Sequence, residues 1–171
     1  MKLKGFQKLT FIDQALQVWF SALQIGNPNV VEVPIREALG RILAEDLIAH
    51  EALPRFDKSA MDGYAVKSAD LVGASQSKPV VLQLIQADQV NAKEAKQVWT
   101  GNPIPKGADA VVMLEDTQTC GGQLEVWSQL VPGSNISKIG EDIKKGELLV
   151  KVGTRLNPYH LGLAAALGHI N

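Results

Sequence analysis

Cysteine is almost absent from this chain of 171 residues, Cys120 being the only one. That excludes an internal disulfide framework and any zinc site built from several thiolates, and it fits a reducing compartment. Its setting, "TCGG", is a turn, where a lone thiol is tolerated without chemistry. Positive charge is not in excess either, with 17 Lys and Arg against 18 Asp and Glu. Without a basic excess, a protein gains little from releasing the counterions of a phosphate backbone, so no nucleic acid is expected as a partner. No stretch approaches the roughly 18 consecutive apolar residues that a membrane helix needs. The opening "MKLKGFQKLTFIDQ" has no apolar run of the secretory type. Together these absences read as a cytoplasmic protein with no membrane contact. His50, His160 and His169 are too scattered for a metal cluster or a catalytic dyad. No Ser-His-Asp order, P-loop or dinucleotide fingerprint is present.

What is there suits a globular protein: 46% apolar and 20% charged residues. The length allows one large domain or two small ones, enough to bury roughly 70% of the surface of the unfolded chain. "LTFIDQALQVWFSALQIGNP" predicts a first helix. Thr10 is its expected cap, with Asp13 in capping-box spacing, and Ile12, Leu16, Trp19 and Leu23 form its apolar stripe. That stripe, with Phe20, is expected in the core, the alternative being a partner-binding face. Gly26 and Pro28 end it. "VVEVPI" alternates like a strand, with Pro34 marking an edge. "REALGRILAEDLIAH" is ambiguous between helix and strand, and Gly40 interrupts it. From residue 54 to about 145 short β-type runs dominate: "YAVK", "VVLQLIQA", "AVVML" and "QLEVWSQLV". Gly- and Pro-rich turns separate them. "TCGGQLEVW" predicts a hairpin exit with Leu124, Val126 and Ser128 on one face. "ELLVKVGTRL" adds a strand and a turn. "NPYHLGLAAALG" predicts a closing helix with Asn157 as cap, Pro158 at its first position and Gly168 past its end. Leu161, Ala165 and Leu167 are its packing residues.

The fold class expected is α+β and β-rich, with a compact β domain inserted into a discontinuous α/β domain. The boundaries read as an N-terminal helical segment (1–27), a discontinuous domain (28–50 with 145–171) and an inserted β-rich domain (51–144).

Three stretches crowd polar groups against glycine and proline. In "DKSAMDGYAV", Ser59 and Asp62 have capping spacing and Gly63 suits a tight turn. The bland reading is a capped turn feeding a strand. Asp62 repels anions directly, but a Mg²⁺ it holds can bind oxyanions, or the carboxylate can accept a proton. In "WTGNPIPKGADAVVMLED", two prolines stiffen the loop after Thr100 and Gly101, and a hydroxyl with an exposed N–H there can bind an oxyanion. The alternative is a long turn between strands. "GSNISKIGEDIKKGELL" sets Glu141 and Asp142 beside Gly140, with Lys144 and Lys145 behind. Alone it reads as a charged turn.

Together the three stretches resemble the N-terminal region of the MoeA/gephyrin family, the molybdopterin molybdenumtransferases. The family's F-D-N-S-A-M-D-G-Y-A-V appears as "FDKSAMDGYAV", its T-G-A-P-I-P-x-G-A-D-A-V-V as "TGNPIPKGADAVV", and its G-E-D-I-x-x-G as "GEDIKKG". "EALGRILAEDL" and "GTRLNPYHLGLAAALG" are also similar to family segments, so the resemblance runs from about residue 10 to the end. It implies insertion of molybdenum from molybdate into adenylylated molybdopterin, with Mg²⁺, and release of AMP. It further implies catalytic roles for Asp62, Thr100 and Asp142, with Asp62 the Mg²⁺ ligand and Ser59 and Gly101 on the cofactor-binding side.

Lys58 stands where the family has Asn, Asn102 where it has Ala, and Ser137 where an Arg is common. Lys138 is the nearest substitute for that Arg, though an ammonium lacks a guanidinium's planar fork. Family members continue into a molybdopterin-binding domain and a small β domain, so this chain is either a fragment or a stand-alone partial homologue. In the family the cleft forms across a homodimer, the N-terminal motifs facing the molybdopterin-binding domain of the partner subunit. The resemblance thus implies half of an enzyme site. The alternative is a non-catalytic scaffold module of the same descent.

Overall fold

The computed structural model describes residues 10–23, 26 and 28–169. The rest of the expected N-terminal segment (1–9, 24, 25 and 27) and the last two residues of the closing segment lie outside the described residues. The chain divides into two compact units, 1–33 and 34–171.

In the first unit, α1 spans Ile12–Ala22. Its cap position is Phe11, with no side-chain hydrogen bond, so the expected Thr10–Asp13 capping box does not form. Its stripe is also not core: no α1 residue is buried, and Ile12, Leu16, Trp19, Phe20 and Leu23 are all exposed. Helical spacing fixes which side chains share a face, but it does not provide anything to cover that face.

The second unit is β-rich. Its strands are β1 (Leu47–Ile48), β2 (Lys58–Ser59), β3 (Gly63–Val66), β4 (Val80–Ile85), β5 (Glu94–Val98), β6 (Ala110–Met113), β7 (Thr117–Cys120), β8 (Gln123–Val126), β9 (Ile136–Ser137) and β10 (Leu148–Val150). The closing helix α2 is Pro158–Ala166. Six strands form one sheet in the order β6-β3-β5-β4-β8-β7. Its two outer strands are consecutive in the chain, joined by a 3-10 turn at Leu114–Asp116, which brings the ends of the curled sheet toward each other.

Inside the curl lies the main core, made by Tyr64, Val66, Leu71, Leu82, Ala95, Ala110, Val112, Leu124 and Val126. Each large aliphatic side chain buried there contributes about 1.5–3 kcal/mol. Every residue of β3 is buried, because Ala65 faces the opposite side. There it packs with Val98 and Val111 under Ile104, Ala108 and Ile136. Those three covering residues come from the second and third polar stretches, Ile136 from β9. The core thus seats the candidate site directly on the outer face of the sheet.

Several expectations are corrected here. "VVEVPI" is not a strand: residues 28–34 carry no regular structure, and a 3-10 turn follows at Ile35–Glu37. Alternation fixes which side chains share a face, but a strand forms only through hydrogen bonds to a neighbour. The ambiguous segment after it resolves into a turn at Gly40 (φ 78°) and the short β1. In α2, Asn157 caps through the His160 N–H and Pro158 is first, as expected. Of its expected packing residues, Leu167 is buried and Leu161 half-buried, while Ala165 is exposed and Ala164 is buried in its place. Strand β5, "EAKQV", has no apolar alternation and forms because it is hydrogen-bonded on both sides, to β3 and β4.

Residues 41–48 pair with the C-terminal part of the unit. Leu47 is opposite Val150 and Ile42 opposite Arg155.

Candidate functional site

The segment 53–63 is a spine to which both other polar stretches are tied. Toward 99–104, the Gly101 N–H donates to the Ser59 carbonyl (2.8 Å), and the Ser59 N–H donates to the Asn102 carbonyl (2.9 Å). Toward 135–143, Lys58 and Ser59 pair with Ser137 and Ile136. The Ala60 N–H donates to the Asn135 carbonyl (2.9 Å), and the Asp142 and Ile143 N–H groups both donate to the Leu53 carbonyl (3.0 Å each).

Within this frame the Asp62 carboxylate meets Thr100, 38 residues away. The Thr100 backbone N–H and hydroxyl each donate to Asp62 Oδ1 at 2.7 Å. Both residues are exposed. The Asp62 carboxyl is held below the usual carboxylate range, first by the Thr100 backbone N–H and then by its hydroxyl. Asp62 and Thr100, one from each of the first two motifs, are therefore one unit, an ionised carboxylate oriented by a threonine at an exposed position. Gly101, at φ 88°, makes the turn that aims Thr100, and a side chain there would be strained in the left-handed region.

Ser59 is buried, and its hydroxyl donates to the Met61 carbonyl. It braces the turn from inside, and the Gly101 N–H is spent on the Ser59 carbonyl. Asp142 sits exposed on the neighbouring loop, and no hydrogen bond joins it to Asp62 or Thr100. Among the described residues no group of three His, Cys, Asp or Glu side chains gathers as a metal cage. A single exposed carboxylate does fit Mg²⁺, which keeps most of its waters and binds through one or two carboxylates together with substrate phosphates. It does not fit zinc.

Asp57 is the residue that sequence reasoning passed over. Its carbonyl accepts from the Ile104 N–H (3.0 Å), while its carboxylate accepts from Lys138 Nζ and the Ile139 N–H (2.8 Å each). One residue thus clasps the loops on either side. The Lys138 ammonium, and then the Ile139 N–H, hold its carboxyl below the usual range. The only sequence signal was its place in "FDKSAMDGYAV", beside the more conspicuous Asp62.

Two departures from the family pattern also find a place. The Asn102 side-chain oxygen accepts the Trp99 N–H (3.0 Å), and its own N–H donates to the Trp99 carbonyl (2.8 Å), so it locks the Thr100–Gly101 turn. Lys138, the nearest substitute for an arginine at 137, is engaged by Asp57.

Comparison with known proteins identifies the family. Residues 10–168 match the family described as MoeA N-terminal region (domain I and II). The chain is 44% identical over 168 residues to a Methanocaldococcus jannaschii protein named for molybdopterin biosynthesis, covering 98% of this chain and 41% of that one. It is 41% identical to the molybdopterin molybdenumtransferase of Bacillus subtilis, over 80% of this chain and 35% of that one. A crystal structure of the molybdopterin biosynthesis MoeA protein from Pyrococcus horikoshii superposes with a TM-score of 0.83 at 37% identity, covering 95% of this chain and 43% of that one. The chain spans about two fifths of the length of these relatives. With its strand-rich curled sheet, two helices and three ordered motifs, it belongs to the family of the MoeA N-terminal region, domains I and II.

Proposed function

We propose that this chain is the N-terminal part of a molybdopterin molybdenumtransferase, serving molybdenum cofactor biosynthesis in the cytoplasm. The activity is insertion of molybdenum from molybdate into adenylylated molybdopterin, with release of AMP. What supports this reading most is the Asp62–Thr100 unit, two motif residues joined by paired 2.7 Å hydrogen bonds at an exposed position. A scaffold has no need of that oriented pair.

In this reading Asp62 is the ligand for Mg²⁺. When bound, the ion supplies the positive charge that lets phosphate and molybdate oxygens approach the carboxylate. Thr100 fixes the rotamer of Asp62 and keeps it deprotonated. Ser59 and Gly101 act on the cofactor side by holding the turn in shape, and Asp142 borders the site from the next loop. The other wall of the cleft is the molybdopterin-binding domain of the partner subunit in a homodimer of the whole protein.

The test measures AMP release from adenylylated molybdopterin with molybdate and Mg²⁺, with and without a supplied molybdopterin-binding domain. Release only when that domain is present supports the reading. If the domain binds and no AMP appears, the chain is a scaffold module.

A further inference from the structure

A concave feature lies on the second unit, sharing Asn102 and Ile104 with the loop that carries Thr100 and Gly101. It is an open groove of about 710 Å³, lined among others by Asp88, Gln89, Lys96, Asn102, Ile104 and Lys106. None of Ser59, Asp62, Thr100, Gly101 or Asp142 contributes to it. Its size is that of a small-ligand site.

The walls of the groove are fixed. The Val90 N–H donates to the Lys106 carbonyl (2.8 Å) and the Lys106 N–H to the Asp88 carbonyl (3.0 Å), which fastens the loop after β4 to the loop before β6. Lys96 rises from β5 between them. Its side chain is only 21% exposed, and its ammonium is paired with Asp88, whose side chain is 99% exposed. With its stem covered, the side chain has little freedom to move its charged end, which lies against the Asp88 carboxylate. Here the anion stands in open water on a loop, where an ion pair gains little over its hydrated parts and is readily exchanged. Lys106 adds a second positive charge on the same groove and has no carboxylate within salt-bridge distance among the described residues. The floor is apolar, with Val98, Ile104 and two prolines, Pro103 and Pro105.

We propose that this groove binds a small organic phosphate, its dianion held by Lys96 and Lys106 in place of the Asp88 carboxylate, and its apolar portion lying over Ile104 and the two prolines. Two ammonium groups favour a doubly charged oxyanion over a monocarboxylate, and the apolar floor favours an organic ester over the bare ion. Asp88 then serves as an internal competitor that satisfies Lys96 while the groove is empty. Neither Asp62 nor Thr100 lines the groove, so this proposal and the proposed function are tested by different variants.

Titration of the ¹⁵N-labelled chain with inorganic phosphate and with phenyl phosphate at pH 7.5, followed by NMR, tests the proposal. Saturable shifts are expected at Lys96 and Lys106, with phenyl phosphate the tighter ligand. Asp88→Asn removes the competitor and should tighten both ligands roughly threefold to tenfold, whereas Lys96→Gln should weaken them by about tenfold or more. Lys106→Gln, at an exposed position, gives a second weakening variant that does not disturb packing. Absence of saturable shifts overturns the proposal, as does unchanged or weaker binding in Asp88→Asn.

Discussion

Thr100 places both of its donors on a single oxygen of Asp62, each at 2.7 Å, and leaves the other oxygen without a hydrogen bond from the described residues. The bonded oxygen fixes the rotamer, and the second is available to a ligand. Within a complete enzyme, Asp62→Asn keeps the shape and removes the charge. Turnover is expected to fall at least about a hundredfold, roughly 2.7 kcal/mol of transition-state stabilisation. The thermal midpoint should change little, because Asp62 is exposed and outside the core. AMP release at several Mg²⁺ concentrations, with thermal melts alongside, checks both. Equal turnover would leave Asp62 as a turn residue.

Thr100→Val removes the hydroxyl but keeps the backbone N–H, which is the larger of the two causes lowering the Asp62 pKa. The Asp62 carboxyl should move upward only part of the way toward the ordinary range. A ¹³C-detected carboxyl titration of both proteins reads this directly. A return to the full ordinary value would mean that the backbone bond is lost with the hydroxyl.

The clasp at Asp57 predicts a pH dependence of defined sign. Its native pKa is depressed by Lys138 and the Ile139 N–H, so its contribution to stability is complete above the unfolded value, roughly 4. That contribution disappears as pH falls through the lower native value. Lys138→Gln should raise the Asp57 pKa and speed amide hydrogen exchange at Ile139. Chemical denaturation between pH 2 and 7 should show a smaller loss on acidification in the variant than in the wild type. The same acid slope in both proteins would remove Lys138 from the clasp.

Gly63 opens β3 with no room for a side chain, since a Cβ there would lie 1.9 Å from the Val112 carbonyl oxygen. Strand β6 is held by register at that point, and neither backbone can withdraw without breaking the ladder. Gly63→Ala is expected to destabilise by about 3 kcal/mol or more, within the range of severe core changes. The urea midpoint should drop with m unchanged. A shift of less than about 0.5 kcal/mol would show that the strands separate freely there.

What could be read locally was read correctly where one residue type has one physical reason to be in place. Asn157 and Pro158 start α2 because a capping side chain and a preset φ both favour a helix start. The "TCGG" turn joins β7 to β8 with Leu124 and Val126 facing inward. Where context decides, reading failed. The valines of 30–33 had the spacing of a strand and carry no regular structure. The polar "EAKQV" had no such spacing, yet it is hydrogen-bonded between two strands. The α1 stripe had the period of a buried face and is exposed.

The motifs show the same division. Amino-acid order alone picked out 54–66, 99–116 and 133–149 as stretches that crowd polar groups against glycine and proline, and showed that they resemble the family pattern. It did not show that Asp109, within the second motif, is spent on the Ser68 N–H and hydroxyl (2.6 and 2.9 Å), nor that Asp57 grips two loops. Nor did it show that Thr100 closes on Asp62 or that Lys96 leans on Asp88. Those partners are set by strand register and by which loops the curled sheet brings side by side. A hydrogen bond requires its atoms to meet within a few tenths of an ångström, and only the packed core holds residues 38 or more positions apart to that tolerance.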